Sequence, residues 1–92
     1  MYRIEVSPAA DRDIEKLRGR IQRHSFERVR SAIRSLAENP RPHKVRKIER
    51  AERAYRVRVG DYRVVYEIYD KERLVLIIQV ARRMEATYNR GI

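Results

Sequence analysis

Arginine side chains are concentrated in two stretches where they could act together on phosphate groups. Arg56, Arg58 and Arg63 flank a Gly-Asp pair, and Arg82 and Arg83 follow a long apolar run. A guanidinium group is planar and binds phosphate oxygens through paired N–H donors. The whole chain of 92 residues has 23 Lys and Arg against 13 Asp and Glu, a net charge of +10, and 19 of those cations are Arg. This bias favours nucleic acid as the partner.

Composition excludes several other kinds of site. The chain has no Cys, which rules out disulfides, thiolate zinc sites and a thiol nucleophile. No apolar run approaches the roughly 20 residues that cross a bilayer, and the first residues do not fit a signal peptide. We therefore expect a cytoplasmic protein with no metal, no other cofactor and no membrane partner.

The first forty residues predict a strand and two helices. Alternating residues predict a strand over 2–6, and Ser7 with Pro8 predicts the start of a helix that runs to about Leu17 and stops near Gly19. A stripe with helical period predicts a second helix, which ends at the prolines at positions 40 and 42. The stripe consists of Phe26, Val29, Ile33 and Leu36.

The remainder of the chain has the period of two that strands require. The predicted strands are 44–48 (a weak strand or an extended arm), 55–59, 62–69 and 74–80. The last is apolar on both faces, as expected for an inner strand, and residues 82–90 are compatible with one or two final helical turns. The order predicts a single α+β domain over 1–92, with two helices packed on a mostly antiparallel sheet.

A two-residue turn at Gly60 and Asp61 fixes the pairing of the strands on either side. It places Arg58 directly opposite Arg63, and like charges placed so cost about 0.2–1 kcal/mol. A phosphate bound between them would turn this repulsion into attraction, whereas simple solvation of a charged face is the alternative. The apolar face comprises Tyr55, Val57, Val59, Tyr62, Val64, Tyr66 and Ile68. The opposite face comprises Arg56, Arg58, Arg63, Val65, Glu67 and Tyr69.

Two segments resemble the RelE/ParE superfamily of bacterial toxins from toxin–antitoxin modules. They are YRVRVGDYRVVYEI at Tyr55–Ile68 and VARRMEATY at Val80–Tyr88, and Ser7–Ala10 and Asn39-Pro40 are also similar to that family. The resemblance implies two N-terminal helices on a curved, mostly antiparallel four-stranded sheet with a short C-terminal helix. For the RelE branch it implies ribosome-dependent cleavage of messenger RNA, through attack of the ribose 2′-hydroxyl on the adjacent phosphate.

The resemblance also implies which residues carry that chemistry. The positions that match the family's catalytic residues are Arg56, Arg58, Arg63, Arg83 and Tyr88. Tyr88 would stack on a base or, alternatively, dock the terminal helix. Some relatives have Lys on the first hairpin strand, but this chain has Arg, which stays protonated and cannot act as a base. The remaining candidate bases are Glu67 and Glu85.

Further cations flank this group. The candidates for RNA binding through diffuse phosphate contacts are Lys44, Arg46, Lys47 and Arg82. The alternative for the first three is a solvated edge of the sheet, whose charges protect it from pairing with another strand. His24 and His43 are expected to be surface residues.

Three functions remain open from the sequence. The first is the messenger RNA endoribonuclease, the second is a ParE-like inhibitor of DNA gyrase that binds without cleaving, and the third is an RNA-binding module without turnover. Both toxin functions predict a cognate antitoxin whose acidic, amphipathic segment wraps the basic domain. The ribosome and its messenger RNA would be the target, and operator DNA would be contacted only through the antitoxin.

Overall fold

The computed structural model describes residues 1–82, which form two helices and one sheet. The elements are β1 (Arg3–Val6), α1 (Pro8–Leu17), α2 (Arg23–Ser35), β2 (Arg46–Lys47), β3 (Ala54–Val59), β4 (Tyr62–Tyr69) and β5 (Leu74–Arg82). The predicted C-terminal helix after residue 82, with Arg83, Glu85 and Tyr88, lies outside the described residues.

Local capping explains where the helices begin and end. The Ser7 hydroxyl accepts a hydrogen bond from the Ala10 N–H at 3.1 Å, and Pro8 occupies the first turn, so α1 has its predicted bounds. The helix α2 ends at Ser35, before the prolines. Over residues 36–38 each backbone N–H donates to the carbonyl three residues earlier, as in a 3₁₀ turn, which ends the α-helical pattern. Neither helix is long and apolar enough to cross a membrane.

The sheet has five strands in the order β1-β5-β4-β3-β2. The strands β1 and β5 are parallel, and every other neighbouring pair is antiparallel. The expectation of four strands was wrong, because the segment predicted as a weak strand or arm contributes a two-residue edge strand, Arg46–Lys47. Arg82 also differs from the prediction, since it belongs to β5 rather than to a terminal helix.

The core lies between the two helices and one face of the sheet. Ala10 of α1 and Val29, Ile33 and Leu36 of α2 and its C-cap pack against the inner faces of β3, β4 and β5. The predicted apolar face of the hairpin is confirmed, since all its members belong to this core or pack against it. Among the buried residues are Val57, Val59, Tyr62, Val64, Tyr66, Ile68, Val75, Ile77 and Val80.

A β-bulge changes the phase of β5. Val65 pairs with Gln79 and Tyr66 pairs with Ile77, so Ile78 is an extra residue on β5. Strict alternation from Leu76 would place Arg82 on the face that bears Arg63. The extra residue reverses the alternation, and Arg82 instead pairs with the buried Tyr62 on the helix side of the sheet.

Candidate nucleic-acid interface

The face of the sheet opposite the helices carries the predicted arginine cluster. The register predicted for the hairpin is confirmed at every position, and Arg58 pairs directly with Arg63. The turn has a φ of 60° at Gly60, whereas Asp61 is not among the residues with positive φ. This pattern is that of a type II′ turn, which needs glycine at its first central position and matches the strand twist.

The edge strand β2 adds a fourth guanidinium to this face. Arg46 pairs with Arg56, and Arg56 pairs in turn with Val65 on β4. Arg46, Arg56, Arg58 and Arg63 therefore project from three adjacent strands to the same side, and we call this set the arginine face. Arg46 and Arg58 are exposed, while Arg56 and Arg63 are half-buried. Preorganised guanidinium groups on a sheet can stabilise charge on phosphate oxygens.

Three of these four arginines form no ion pair with a carboxylate in the described part of the chain. The ion pairs within 4.0 Å that involve arginine join it to Glu5, Glu15, Glu27, Glu52 or Asp70, and none includes Arg46, Arg56 or Arg58. Residues 1–82 also contain no group of three His, Asp or Glu that could hold a metal ion. The arginine face is thus a positively charged surface suited to a polyanion.

Glu67 shares this side of the sheet but lies beyond the arginines. It is four residues from Arg63 along β4, about 13 Å at the usual rise of a strand. Its carboxylate accepts a hydrogen bond from the Tyr69 hydroxyl at 2.6 Å, and the Arg53 guanidinium lies 4.9 Å from the centre of the Tyr69 ring. This hydrogen bond raises the pKa of Tyr69.

The other predicted RNA contacts separate into two groups. Lys44 and Arg46 line an open groove beside Arg58. The Lys47 ammonium instead donates a hydrogen bond to the Ala51 carbonyl at 3.0 Å. Lys47 pairs with Tyr55, and its side chain therefore lies on the side of the sheet opposite the arginine face. Arg82 lines a different cavity, of about 590 Å³, on the helix side. The structure therefore does not bring all four cations together.

Sequence reasoning missed one basic residue of this region, Arg28. It is an exposed residue of α2, and its guanidinium nitrogen Nη1 would be 3.4 Å from a Cβ built on Gly60. Only the packing of α2 against β3 brings these two together, and no spacing in the sequence signals it. His43, expected on the surface, is exposed and lines the same groove.

A model of the ParE toxin of type II toxin–antitoxin systems matches residues 4–87. A protein of Methanocaldococcus jannaschii that bears the name toxin RelE1 is 24% identical over 91 residues, which are 96% of this chain and 97% of that protein.

Solved structures share the fold. The RelE–RelB complex of Pyrococcus horikoshii matches with a TM-score of 0.74 at 24% identity, covering 89% of this chain and 94% of that one. The RelBE toxin–antitoxin complex of Escherichia coli matches with a TM-score of 0.73 at 20% identity, covering 89% and 96%. The family match over residues 4–87 shows that the chain belongs to the ParE toxin family of type II toxin–antitoxin systems, within the RelE/ParE superfamily.

Proposed function

We propose that this toxin is a metal-independent endoribonuclease that cleaves messenger RNA on the ribosome. The observation that carries the proposal is the arginine face, in which three strands present guanidinium groups to one side of the sheet. Like charges placed directly across two strands repel, and a phosphate bound between Arg58 and Arg63 would relieve that repulsion. The RelE name of the archaeal relative supports the same branch of the superfamily.

The reaction uses the RNA's own ribose as nucleophile. The 2′-oxygen attacks the adjacent phosphorus, the bond from phosphorus to the 5′-oxygen breaks, and the products are a 2′,3′-cyclic phosphate and a 5′-hydroxyl. One proton leaves the 2′-hydroxyl and one is delivered to the 5′-oxygen. Arg56, Arg58 and Arg63 would bind the non-bridging oxygens and stabilise the charge that accumulates on them in the transition state.

Proton transfer cannot be assigned to the arginines, because a guanidinium group stays protonated. Glu67 lies about 13 Å from Arg63 along β4, and its carboxylate accepts a hydrogen bond from Tyr69, which disfavours it as the base. Glu85, Arg83 and Tyr88 lie outside the described residues, and their roles remain those that the family resemblance implies. We propose that alignment and charge stabilisation supply most of the rate, with ribosomal RNA completing the site.

The match to the ParE family model favours a second candidate function, inhibition of DNA gyrase by binding. In that case the arginine face would bind the enzyme or its DNA without cleaving a phosphodiester.

Both proposed functions imply that the toxin binds a cognate antitoxin. The structural relatives from P. horikoshii and E. coli were solved as toxin–antitoxin complexes. A chain of net charge +10 would be neutralised by an acidic, amphipathic segment that wraps it. We infer that operator DNA is reached only through this antitoxin.

The deciding experiment incubates the purified toxin with translating ribosomes and, separately, with gyrase and relaxed plasmid. We expect truncated messenger RNA, and we expect Arg58→Ala to lower the cleavage rate about 100-fold, as loss of a transition-state donor does. Arg34→Ala is the matched control, because Arg34 is an exposed arginine on α2 that is remote from the arginine face. Intact message together with inhibited supercoiling would favour the gyrase function instead.

The general base is tested in the same assay. We expect Glu67→Gln to cleave at close to the wild-type rate, because its carboxylate is directed toward Tyr69. Glu85→Gln examines the other candidate. A complete loss in either variant would assign the base to that residue and would refute a mechanism based on alignment and charge alone.

A further inference from the structure

A basic groove lies beside the arginine face, at the edge of the sheet near the hairpin turn. Its volume is about 700 Å³, and it is open to solvent. Arg28 comes from α2, Lys44 and Arg46 from the segment that enters β2, and Arg58 and Gly60 from the hairpin; His43 completes the polar lining. Among the described residues, four cations and no Asp or Glu line the groove, and the nearest carboxylate along the hairpin, Asp61, lies in the adjoining pocket beside Arg28 and Gly60.

The short edge strand explains why the groove exists. The strand β2 pairs only with Tyr55 and Arg56, whereas β3 continues to Val59. Residues 57–59 therefore extend past β2 without a described partner strand on that side. The segment before β2 turns away at this point, and the space between it, the hairpin and α2 is the groove.

The glycine at the turn lets a cation approach closely. The Arg28 guanidinium lies over Gly60, with Nη1 3.4 Å from the position that a Cβ would take. Arg28 forms no ion pair within 4.0 Å with any described carboxylate. Cations gathered in a concave surface repel one another more than they would on an open one, and a bound anion relieves that repulsion.

The groove and the arginine face are continuous, because Arg46 and Arg58 belong to both. A single nucleic-acid strand whose scissile phosphate lay at Arg58 and Arg63 would pass over the edge of the sheet at Arg46. Its next phosphates would then meet Lys44 and Arg28. A purely apolar ligand is disfavoured, since Val45 is the one apolar side chain among the described residues of the lining.

We propose that this groove is a second phosphate subsite, which holds the RNA backbone beside the cleaved linkage. Arg28 and Lys44 are its positioning residues, and neither contacts the reacting atoms. The inference rests on the proposed nuclease function for its role in catalysis, but the binding that it predicts can be measured without cleavage.

The test measures binding of single-stranded RNA that carries 2′-deoxyribose throughout the central positions, so that no cleavage occurs. Fluorescence anisotropy over a range of salt concentrations gives the affinity and its salt slope. Each lost phosphate contact lowers the slope by about 0.7, which amounts to about fivefold in affinity at 0.1 M salt. We expect Arg28→Gln and Lys44→Gln each to lose about fivefold, and the double variant about 25-fold.

Two controls separate a subsite from diffuse attraction. Arg34→Gln removes one charge from α2 outside the groove, and Lys47→Gln removes one charge from β2 on the other side of the strand. We expect both to lose clearly less than Lys44→Gln. Equal losses at all four positions, or no loss at Arg28 and Lys44, would overturn the proposal.

Two further readouts define the ligand and the role. On ribosomes, the loss in the groove variants should appear in KM rather than in kcat, because the residues position the strand. A polyglutamate peptide should show no comparable dependence on Arg28 and Lys44, and an equal dependence would assign the groove to an acidic polypeptide and refute an RNA subsite. If wild-type toxin cleaves nothing but the binding pattern holds, the nuclease function fails and the subsite stands.

Discussion

At the scale of single residues, the opposition of Arg58 and Arg63 would link stability to the proposed activity. Neither residue is needed for the core, whose members lie on the other face of the hairpin. Because like charges directly across two strands repel, the proposed function and folding would favour different residues at position 58. At ligand-binding sites, residues often depart from the local arrangement that would make the free protein most stable.

We expect Arg58→Gln to raise the free energy of unfolding by about 0.2–1 kcal/mol while it lowers cleavage. Urea unfolding of the antitoxin-free protein measures the first effect, and the ribosome assay measures the second. Arg34→Gln changes the net charge equally. If both variants gained the same stability, overall charge rather than the cross-strand pair would be responsible.

Tyr66 supports the site from the buried side of the sheet. Its side chain is fully buried, and its hydroxyl donates to the Pro40 carbonyl at 2.8 Å. Removal of this donor leaves a buried carbonyl without its partner, so Tyr66→Phe should cost about 1–3 kcal/mol in urea unfolding. Tyr55→Phe is the control, because its exposed hydroxyl only accepts a 3.4 Å hydrogen bond from Arg41. Equal costs would contradict this account.

The same residue predicts an alkaline pH dependence. Burial raises the pKa of Tyr66, so the folded protein holds this proton more tightly than the unfolded chain does. The resulting stabilisation is complete below the unfolded pKa of about 10 and is lost as the pH rises further. Tyr66→Phe has no such proton, and we expect its stability to fall less steeply above about pH 10. Parallel curves for the two proteins would refute the assignment.

At the scale of elements, the hairpin turn determines where the arginines lie. Gly60 has a φ of 60°, which an L-residue with a Cβ adopts at a cost of about 1–2 kcal/mol. We therefore expect Gly60→Ala to lose roughly that much stability and, because the turn sets the register of Arg58 and Arg63, to lose cleavage as well. Gly19→Ala is the matched control, because Gly19 also has a positive φ, of 90°, but lies between the helices and not in the hairpin.

Both variants should be assayed for cleavage at a temperature at which each remains folded, as shown by circular dichroism. A loss of activity in Gly60→Ala alone is the expected result. If Gly19→Ala lost as much activity at equal stability, the effect would belong to folding in general and not to the hairpin.

Local chemistry explains which elements could be predicted from the sequence. The start of α1 depends on Ser7 and Pro8 alone, and the hairpin register depends on a two-residue turn, so both were predicted correctly. The position of Arg82 depends on the bulge at Ile78. Because residues 74–78 are all apolar, the sequence carries no alternation from which that change of phase could be inferred.

Long-range packing explains why Arg46 was predicted only as a diffuse phosphate contact and why Arg28 was missed. Arg46 joins the arginine face only because a two-residue strand pairs with Arg56, and Arg28 approaches Gly60 only because α2 packs on β3. Both contacts join segments that are far apart in the sequence. Cationic composition predicted a nucleic-acid partner, but only the fold selects which cations can share one ligand.

At the scale of the whole molecule, the net charge of +10 acts against the folded state. The side chains of the described ion pairs are 43% or more exposed, so each contributes little to stability. The arginine face and the groove concentrate positive charge at one edge and one face of the sheet. Anions that bind there should therefore stabilise the free toxin more than salt that merely screens its charge.

We expect sulfate to raise the melting temperature more than chloride does at equal ionic strength. A site with a sulfate Kd of about 10 mM would gain about 1.4 kcal/mol at 100 mM sulfate, which corresponds to a shift of several degrees for a domain of this size. The double variant Arg46→Gln/Arg58→Gln should lose most of that excess. The double variant Arg12→Gln/Arg34→Gln carries the same net charge and should keep the excess stabilisation by sulfate. General salting-out by sulfate affects both variants alike. An equal response from the two variants would therefore mean that no anion site exists on this face.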